Sequence, residues 1–420
     1  DNQNEIIENL DKLSKKMRRH LGESRYKISG QDKPLVRVTT SSLDALKQYS
    51  LAIGYHRNMD FENAATHYEN AIRIDTSFTA AKASLGNILF EKFDREKGKV
   101  WLDEAIQSID DLTDREKYGI LAFYAANIEN DLDKSIEYTR MIIELYPDNA
   151  IFRNNLGWYF QNQGLYEKAV EEYKVAIRLE PYFMLPYGGL LWVYLDYMGN
   201  MDSASIWSEK LINIGPENPW GYHYLGSAYA GMDELEKAKE AYSKARDLNP
   251  NLLKNQYRLA YTYRKLGMPE KAIEVLKEIL QINPNEEPPY YILGIYYQLI
   301  GEEELAREHY LKFRSIAEAW ENEFPDMPDT YVVLGMILTR LGEKEAGWEA
   351  GKKALELDST FHFRYAEFLA VQDKKEEALD HLELALENGY RDLSWIKLNP
   401  DLFVLQGEAR FDELIDNYFR

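Results

Sequence analysis

The chain has 420 residues, 71 acidic against 50 basic, for a formal charge of −21, and that balance argues against nucleic acid or an anionic membrane surface as its main partner. Cysteine is absent, which excludes disulfides, a thiolate nucleophile and a Cys-ligated zinc centre. No apolar run approaches the roughly 18 residues needed to span a bilayer, so no membrane insertion is expected.

The opening, DNQNEIIENL, is neither an initiator methionine nor a signal peptide and reads as the start of a mature or excised segment. In residues 4–21 the apolar side chains Ile6, Leu10, Leu13, Met17 and Leu21 fall three or four apart, a single helix stripe that Gly22 can cap. Lys12, Lys15, Lys16, Arg18 and Arg19 fill the rest of that helix and read as its solvated face. Residues 33–44, KPLVRVTTSSLD, read as an extended link that ends in a Ser/Thr helix cap. Residues 1–44 are therefore expected to form a helix and linker that close a preceding domain.

From residue 45 the chain repeats a helical hairpin. Units are expected at 45–78, with Tyr55, Ala64, Tyr68 and Ala71 in packing positions, and at 79–112, with Leu85, Gly86, Leu102 and Ala105. The unit near 116–149 is degenerate, with Phe123 where a small residue is expected and Ser135 for Ala. The fullest copy is 150–183, AIFRNNLGWYFQNQGLYEKAVEEYKVAIRLEPYF. There Leu156, Phe160, Ala169, Tyr173 and Ala176 recur at helical spacing, Gly157 can sit where two helices touch, Gly164 can turn the chain and Pro181 can stop the second helix.

These residues resemble the tetratricopeptide repeat, whose period is 34 residues. Gly157 and Gly226 lie 69 residues apart, and Gly226 and Gly294 lie 68 apart, so the phase holds through units at 184–218, 219–252 and 253–286. It then jumps, because Gly294 and Gly335 are 41 apart; the seven extra residues amount to about two helical turns. The second helix of that unit, running through Tyr310 to Phe324, is expected to overrun its neighbours before the PDMPD turn. Two more units follow near 328–358 and 359–390, and residues 391–420 read as a capping segment, with a Phe411, Leu414, Ile415 and Tyr418 stripe in the last helix. The resemblance implies an all-α, right-handed superhelical solenoid of about ten hairpins.

Two flanking stretches resemble the tetratricopeptide region of bacterial signalling proteins that carry an N-terminal kinase, cyclase or winged-helix output domain: LDKLSKKMRRHLGES with PLVRVTTSSLDALKQYS, and ENGYRDLSWIKLNPDLFVLQGEARFDELI. That resemblance implies a sensing or docking region of a larger protein, lying beyond a membrane helix in kinase-type relatives and in the cytoplasm in cyclase-type ones. A free-standing scaffold or chaperone-type adaptor is the alternative.

The family resemblance also implies a protein or peptide partner in the concave groove lined by the first helices. Outward positions there are Tyr49, Ile53 and His56; Asn87 and Phe90; Tyr124 and Asn127; Asn154, Trp158 and Asn162; Trp192; His223; Tyr257, Tyr261 and Arg264; and Tyr291 and Gln298. Amides hydrogen-bond a peptide backbone and aromatic rings supply flat apolar area. The partner-binding expectation therefore rests on Asn87, Tyr124, Asn127, Asn154, Trp158, Asn162, Trp192, His223, Tyr257, Tyr261 and Arg264, and a peptide is expected across Asn154, Trp158 and Trp192. Rings at these positions also suit packing between adjacent helices. A carboxylate clamp would need Lys and Asn ahead of Lys254 and Arg258, where the chain has Gly188, Trp192 and Tyr224, so Arg258 suits a salt bridge better.

Nothing points to catalysis or a cofactor. The seven histidines, at 20, 56, 67, 223, 309, 362 and 381, are scattered along the chain without metal-ligand spacing, and Gly347 to Lys353, GWEAGKK, is one residue short of a phosphate loop and lacks its Ser/Thr.

Overall fold

The computed structural model describes residue 40, residues 42–57 and residues 60–419; the helix expected at 4–21, its basic cluster and most of the 33–44 link lie outside the described residues. The described residues hold 22 α-helices and no strand. The chain divides into two compact units, one ending at Glu180 and one beginning at Pro181.

In the first unit four hairpins follow one another: α1 (Leu43–Arg57) with α2 (Phe61–Ile74), α3 (Thr79–Ile88) with α4 (Arg95–Gln107), α5 (Asp114–Asn127) with α6 (Leu132–Leu145), and α7 (Ala150–Asn162) with α8 (Tyr166–Leu179). Side-chain caps start them. Asp60, Asp94, Thr113, Asp131 and Asn149 each accept a backbone N–H from the first turn of the helix that follows, satisfying donors that no helix can satisfy for itself. The degenerate third unit forms its hairpin nonetheless, with Ser135 and Thr139 buried where the fourth carries Ala169 and Tyr173.

The second unit holds six hairpins: α9 (Leu185–Trp192) with α10 (Met201–Ile214), α11 (Pro219–Gly231) with α12 (Leu235–Leu248), α13 (Leu253–Lys265) with α14 (Pro269–Ile282), α15 (Pro288–Leu299) with α16 (Glu303–Glu323), α17 (Pro328–Arg340) with α18 (Lys344–Leu357), and α19 (His362–Val371) with α20 (Lys375–Glu387). Two short helices close the chain, α21 (Leu393–Leu398) and α22 (Ala409–Phe419). The carbonyls of the prolines between hairpins serve as anchors: Pro181, Pro284 and Pro325 accept hydrogen bonds from Tyr187, Tyr290 and Tyr331, each six residues on, and Pro250 accepts one from Gln256.

In several hairpins the two helices meet at a glycine. A Cβ on Gly157 would stand 2.9 Å from the Tyr173 ring, one on Gly226 2.6 Å from Tyr242, and one on Gly294 2.3 Å from Tyr310; only a bare backbone lets the ring lie flat against it. The overrun expected after Gly294 is present. Helix α16 has 21 residues against 14 in α12, α14 and α18, and its extra turns carry Ala317 and Trp320.

Helices α3 and α9 each end in a π-helical turn, Leu89–Phe93 and Val193–Tyr197, which the repeat pattern did not indicate. At the first, the chain runs so close to α4 that a Cβ on Gly98 would lie 2.3 Å from the Phe90 nitrogen.

Candidate functional site

In the first unit the expected partner-binding side chains fall on α3, α5 and α7. Helices α3 and α5 touch, and the guanidinium of Arg115 on α5 stands 5.6 Å from the Phe152 ring of α7, so the three first helices are neighbours. Trp158 is 37% exposed and meets Tyr159 edge-on. Asn154, one helical turn before it, is half-buried and donates to the Asn155 side chain at 3.4 Å. Asn162 and Asn127 each donate to a carbonyl four residues back, those of Trp158 and Phe123. Tyr124 is already engaged, its hydroxyl donating to Asp103 on α4 at 2.6 Å. The Oδ1 of Asn87 is buried without a hydrogen-bond partner, an acceptor that costs stability until something donates to it.

In the second unit Trp192 stands 43% exposed against Tyr197, but the first helices that follow are occupied. The chain's own residues 391–405 lie along them. Arg258 on α13 holds Asp392 at 2.6 Å and Ser394 at 3.1 Å; Trp395 packs on Tyr261 with ring centroids 5.0 Å apart. Lys397 donates to the Gly231 carbonyl at 2.9 Å and pairs with Asp233. Asn399 donates to Glu367 on α19, and Asp401 accepts from Tyr291 on α15 and Arg340 on α17, both at 2.8 Å. The Arg264 guanidinium lies 3.3 Å from the centre of the Phe403 ring.

Tyr261, under Trp395, is 6% exposed, and His223 is 1% exposed. His223 faces Asn255, meets Trp220 and Tyr224 edge-on and lies tilted against Tyr242; Tyr257 donates to Glu286 at 2.9 Å. These members of the expected set meet the chain itself rather than solvent. Sequence spacing could place them on the inner face of their helices, but not foresee a segment arriving from more than a hundred residues away. Arg258 does form a salt bridge, as its neighbours suggested.

The electrostatics follow from burial and pairing. Burial pulls the Arg258 guanidinium down, yet Asp392, Tyr242 and Asp196 together outweigh that and lift it above its ordinary value. Burial disfavours the charge of Asp392 too, and Arg258 reverses that, holding its carboxyl below the usual range. Asp196, buried and close to Asp392, is pushed up to about 6. Burial lowers His223 to about 3, with Lys254 and Arg258 adding to the effect. Burial also raises Glu367 to about 7 against the pull of Arg364.

The segment is firmly held. Ile396, Leu398, Leu402 and Leu405 are fully buried, and at roughly 1.5–3 kcal/mol each, lifting them into water would cost on the order of 6–12 kcal/mol before any ion pair is broken. In the second unit this inner face is therefore an interior. Among the described residues no three His, Asp or Glu side chains are placed to hold a metal, and no helix is long and apolar enough to cross a membrane.

Comparison with known proteins agrees with this architecture. Tetratricopeptide repeat models match residues 129–182 and 229–293. The BBSome complex member BBS4 of Bos taurus is 22% identical over 258 residues, 60% of this chain and 41% of that relative's length. Among solved structures, a tetratricopeptide repeat protein from Parabacteroides merdae is 17% identical, with a TM-score of 0.47 over 62% of this chain and 99% of that one. MamA from Desulfovibrio magneticus RS-1 is 20% identical with a TM-score of 0.37 over 41% and 97%, and YrrB, described as having an unusual peptide-binding site, is 22% identical with a TM-score of 0.36 over 42% and 91%. The tandem hairpins, the Gly–Tyr helix contacts at a fixed offset and the repeat models matching in both compact units show that this chain carries tetratricopeptide repeats.

Proposed function

We propose that the first unit binds an extended peptide, or an extended stretch of a protein partner, along α3, α5 and α7, with Trp158 as the apolar anchor and Asn87, Asn127, Asn154 and Asn162 as ligands of its backbone. The observation that carries this reading is the contrast between the two units. In the second, the first-helix face already holds a polypeptide stretch through rings, amides and ion pairs; in the first, a face of the same origin presents a solvent-exposed Trp beside the amides of Asn154 and Asn162. Exposed aromatic rings beside amides are what a peptide-binding surface requires, since rings supply apolar area with few rotors and amides match main-chain donors and acceptors. Trp192, the third residue of the expected site, belongs to the second unit, and the proposal does not depend on it.

In this reading the protein is the sensing or docking region of a larger bacterial signalling protein, a context supported by the two flanking stretches. A second reading, membership of a stable multiprotein assembly, is favoured by the likeness to BBS4, itself a member of a complex.

The test is partner capture from the source cell by the chain and by its Asn154→Ala/Trp158→Ala double variant, with helical content and melting measured alongside. Loss of capture by a folded variant is expected; undiminished capture would sink the proposal.

A further inference from the structure

Where residues 391–405 cross the inner face of the second unit they leave a cavity of about 260 Å³, bounded by α13, α15, α16, α17, α19 and the segment itself. Five aromatic side chains line it: Tyr261, Tyr291, Phe313, Trp320 and Trp395. They form two connected groups, Trp395 on Tyr261, and Tyr291 on Phe313 at 5.3 Å with Trp320 edge-on to Phe313. Trp320 reaches the cavity only because α16 overruns its neighbours; a second helix of the ordinary 14 residues would end at Ile316. The one irregularity in the repeat phase thus supplies a wall.

The polar part of the lining is acidic. Asp329, Glu367 and Asp401 line it beside one cation, Arg364, itself bonded to Asp329 at 2.7 Å and to Glu367, while Arg340, outside the lining, pairs with Asp401. Asp401 is 8% exposed and takes both of its side-chain hydrogen bonds on Oδ1, which leaves Oδ2 free of them. Asp329 likewise uses Oδ1 alone.

Aromatic faces attract a cation through their quadrupole, and carboxylate oxygens with no cation of their own add to that attraction. An anion would meet three carboxylates. We infer that this cavity is a binding site for a small organic cation, an alkylated ammonium. It is independent of the peptide face proposed for the first unit. The occupant would lie between the first helices and the C-terminal segment and touch both, so its binding stabilises the docked segment.

The test uses the full chain, with choline as probe and its neutral isostere 3,3-dimethylbutan-1-ol as control, titrated by calorimetry. Choline is expected to bind at least about tenfold more tightly than the alcohol, the factor that a desolvated cation–π contact supplies, and to raise the melting temperature. Trp320→Ala and, separately, Asp329→Asn are expected to weaken choline at least fivefold; Asp329→Asn keeps an acceptor for Arg364, so the test stands even if loss of the Trp320 ring unsettles α16. Equal binding of choline and the alcohol, no heat with choline at 10 mM, or unchanged affinity in a folded Asp329→Asn variant would each overturn the inference.

Discussion

Arg258 and Asp392, 134 residues apart in the chain, meet at 2.6 Å with side chains only 10% and 18% exposed. Removing one partner of such a pair strands the other charge in a medium that solvates it poorly. Arg258→Met is therefore expected to destabilise the second unit by about 3 kcal/mol. Adding Asp392→Asn, which neutralises the stranded carboxylate and keeps an acceptor for the Trp395 N–H at the start of α21, is expected to recover at least half of that loss. Urea unfolding of the two single variants and the double variant gives the coupling; strictly additive losses would mean that the pair holds no shared energy.

The glycine contacts predict the cost of a single methyl group. Gly226→Ala would drive a Cβ to within 2.6 Å of the Tyr242 ring, and a packed interface accommodates that only by moving α11 from α12, at a cost of about 1–3 kcal/mol. Gly54→Ala, on α1 with nothing within 4 Å of the added carbon, is expected to be neutral or slightly stabilising, since helical Ala is preferred to Gly. Thermal melting of the two variants side by side checks the contrast.

Stability should fall on mild acidification through His223. Its value drops from 6.5 unfolded to about 3 folded, so between those limits the unfolded chain binds more protons, and the contribution of the neutral imidazole shrinks as pH falls below 6.5. At pH 5 the loss is about 2 kcal/mol. Glu367 acts in the opposite sense: raised from 4.5 to about 7, it contributes stability below 4.5 that is lost as pH rises through 7. Unfolding at pH 7 and pH 5 should show a smaller acid loss in His223→Asn than in the parent chain, and a larger one in Glu367→Gln.

Much of this architecture was legible because its signals are local. The phase between Gly157, Gly226 and Gly294 gave the helix contacts, and the jump to Gly335 gave the long α16, since both depend only on spacing within or between adjacent hairpins. The fate of the inner face was not legible. Arg258, Arg340, Glu367 and Asp401 are ordinary charges in a chain rich in them, and nothing in the sequence marks which distant partner each will meet. Tyr261 is buried because Trp395 of the 391–405 segment lies on it, whereas His223 is enclosed by Trp220, Tyr224, Tyr242 and Asn255 of its own and the following helices. The π turns at Leu89–Phe93 and Val193–Tyr197 escaped for a related reason, as they answer to close helix contacts such as that at Gly98 rather than to a local breaker.

The claim that most needs testing is that the first-helix face of the first unit takes up polypeptide. A photo-crosslinking side chain placed at position 158, in the source cell, measures this directly, with position 171 on the exposed side of α8 as control. Covalent capture of a polypeptide from position 158 and not from 171 is the predicted result. Equal capture from both positions, or capture from 171 alone, would contradict the account.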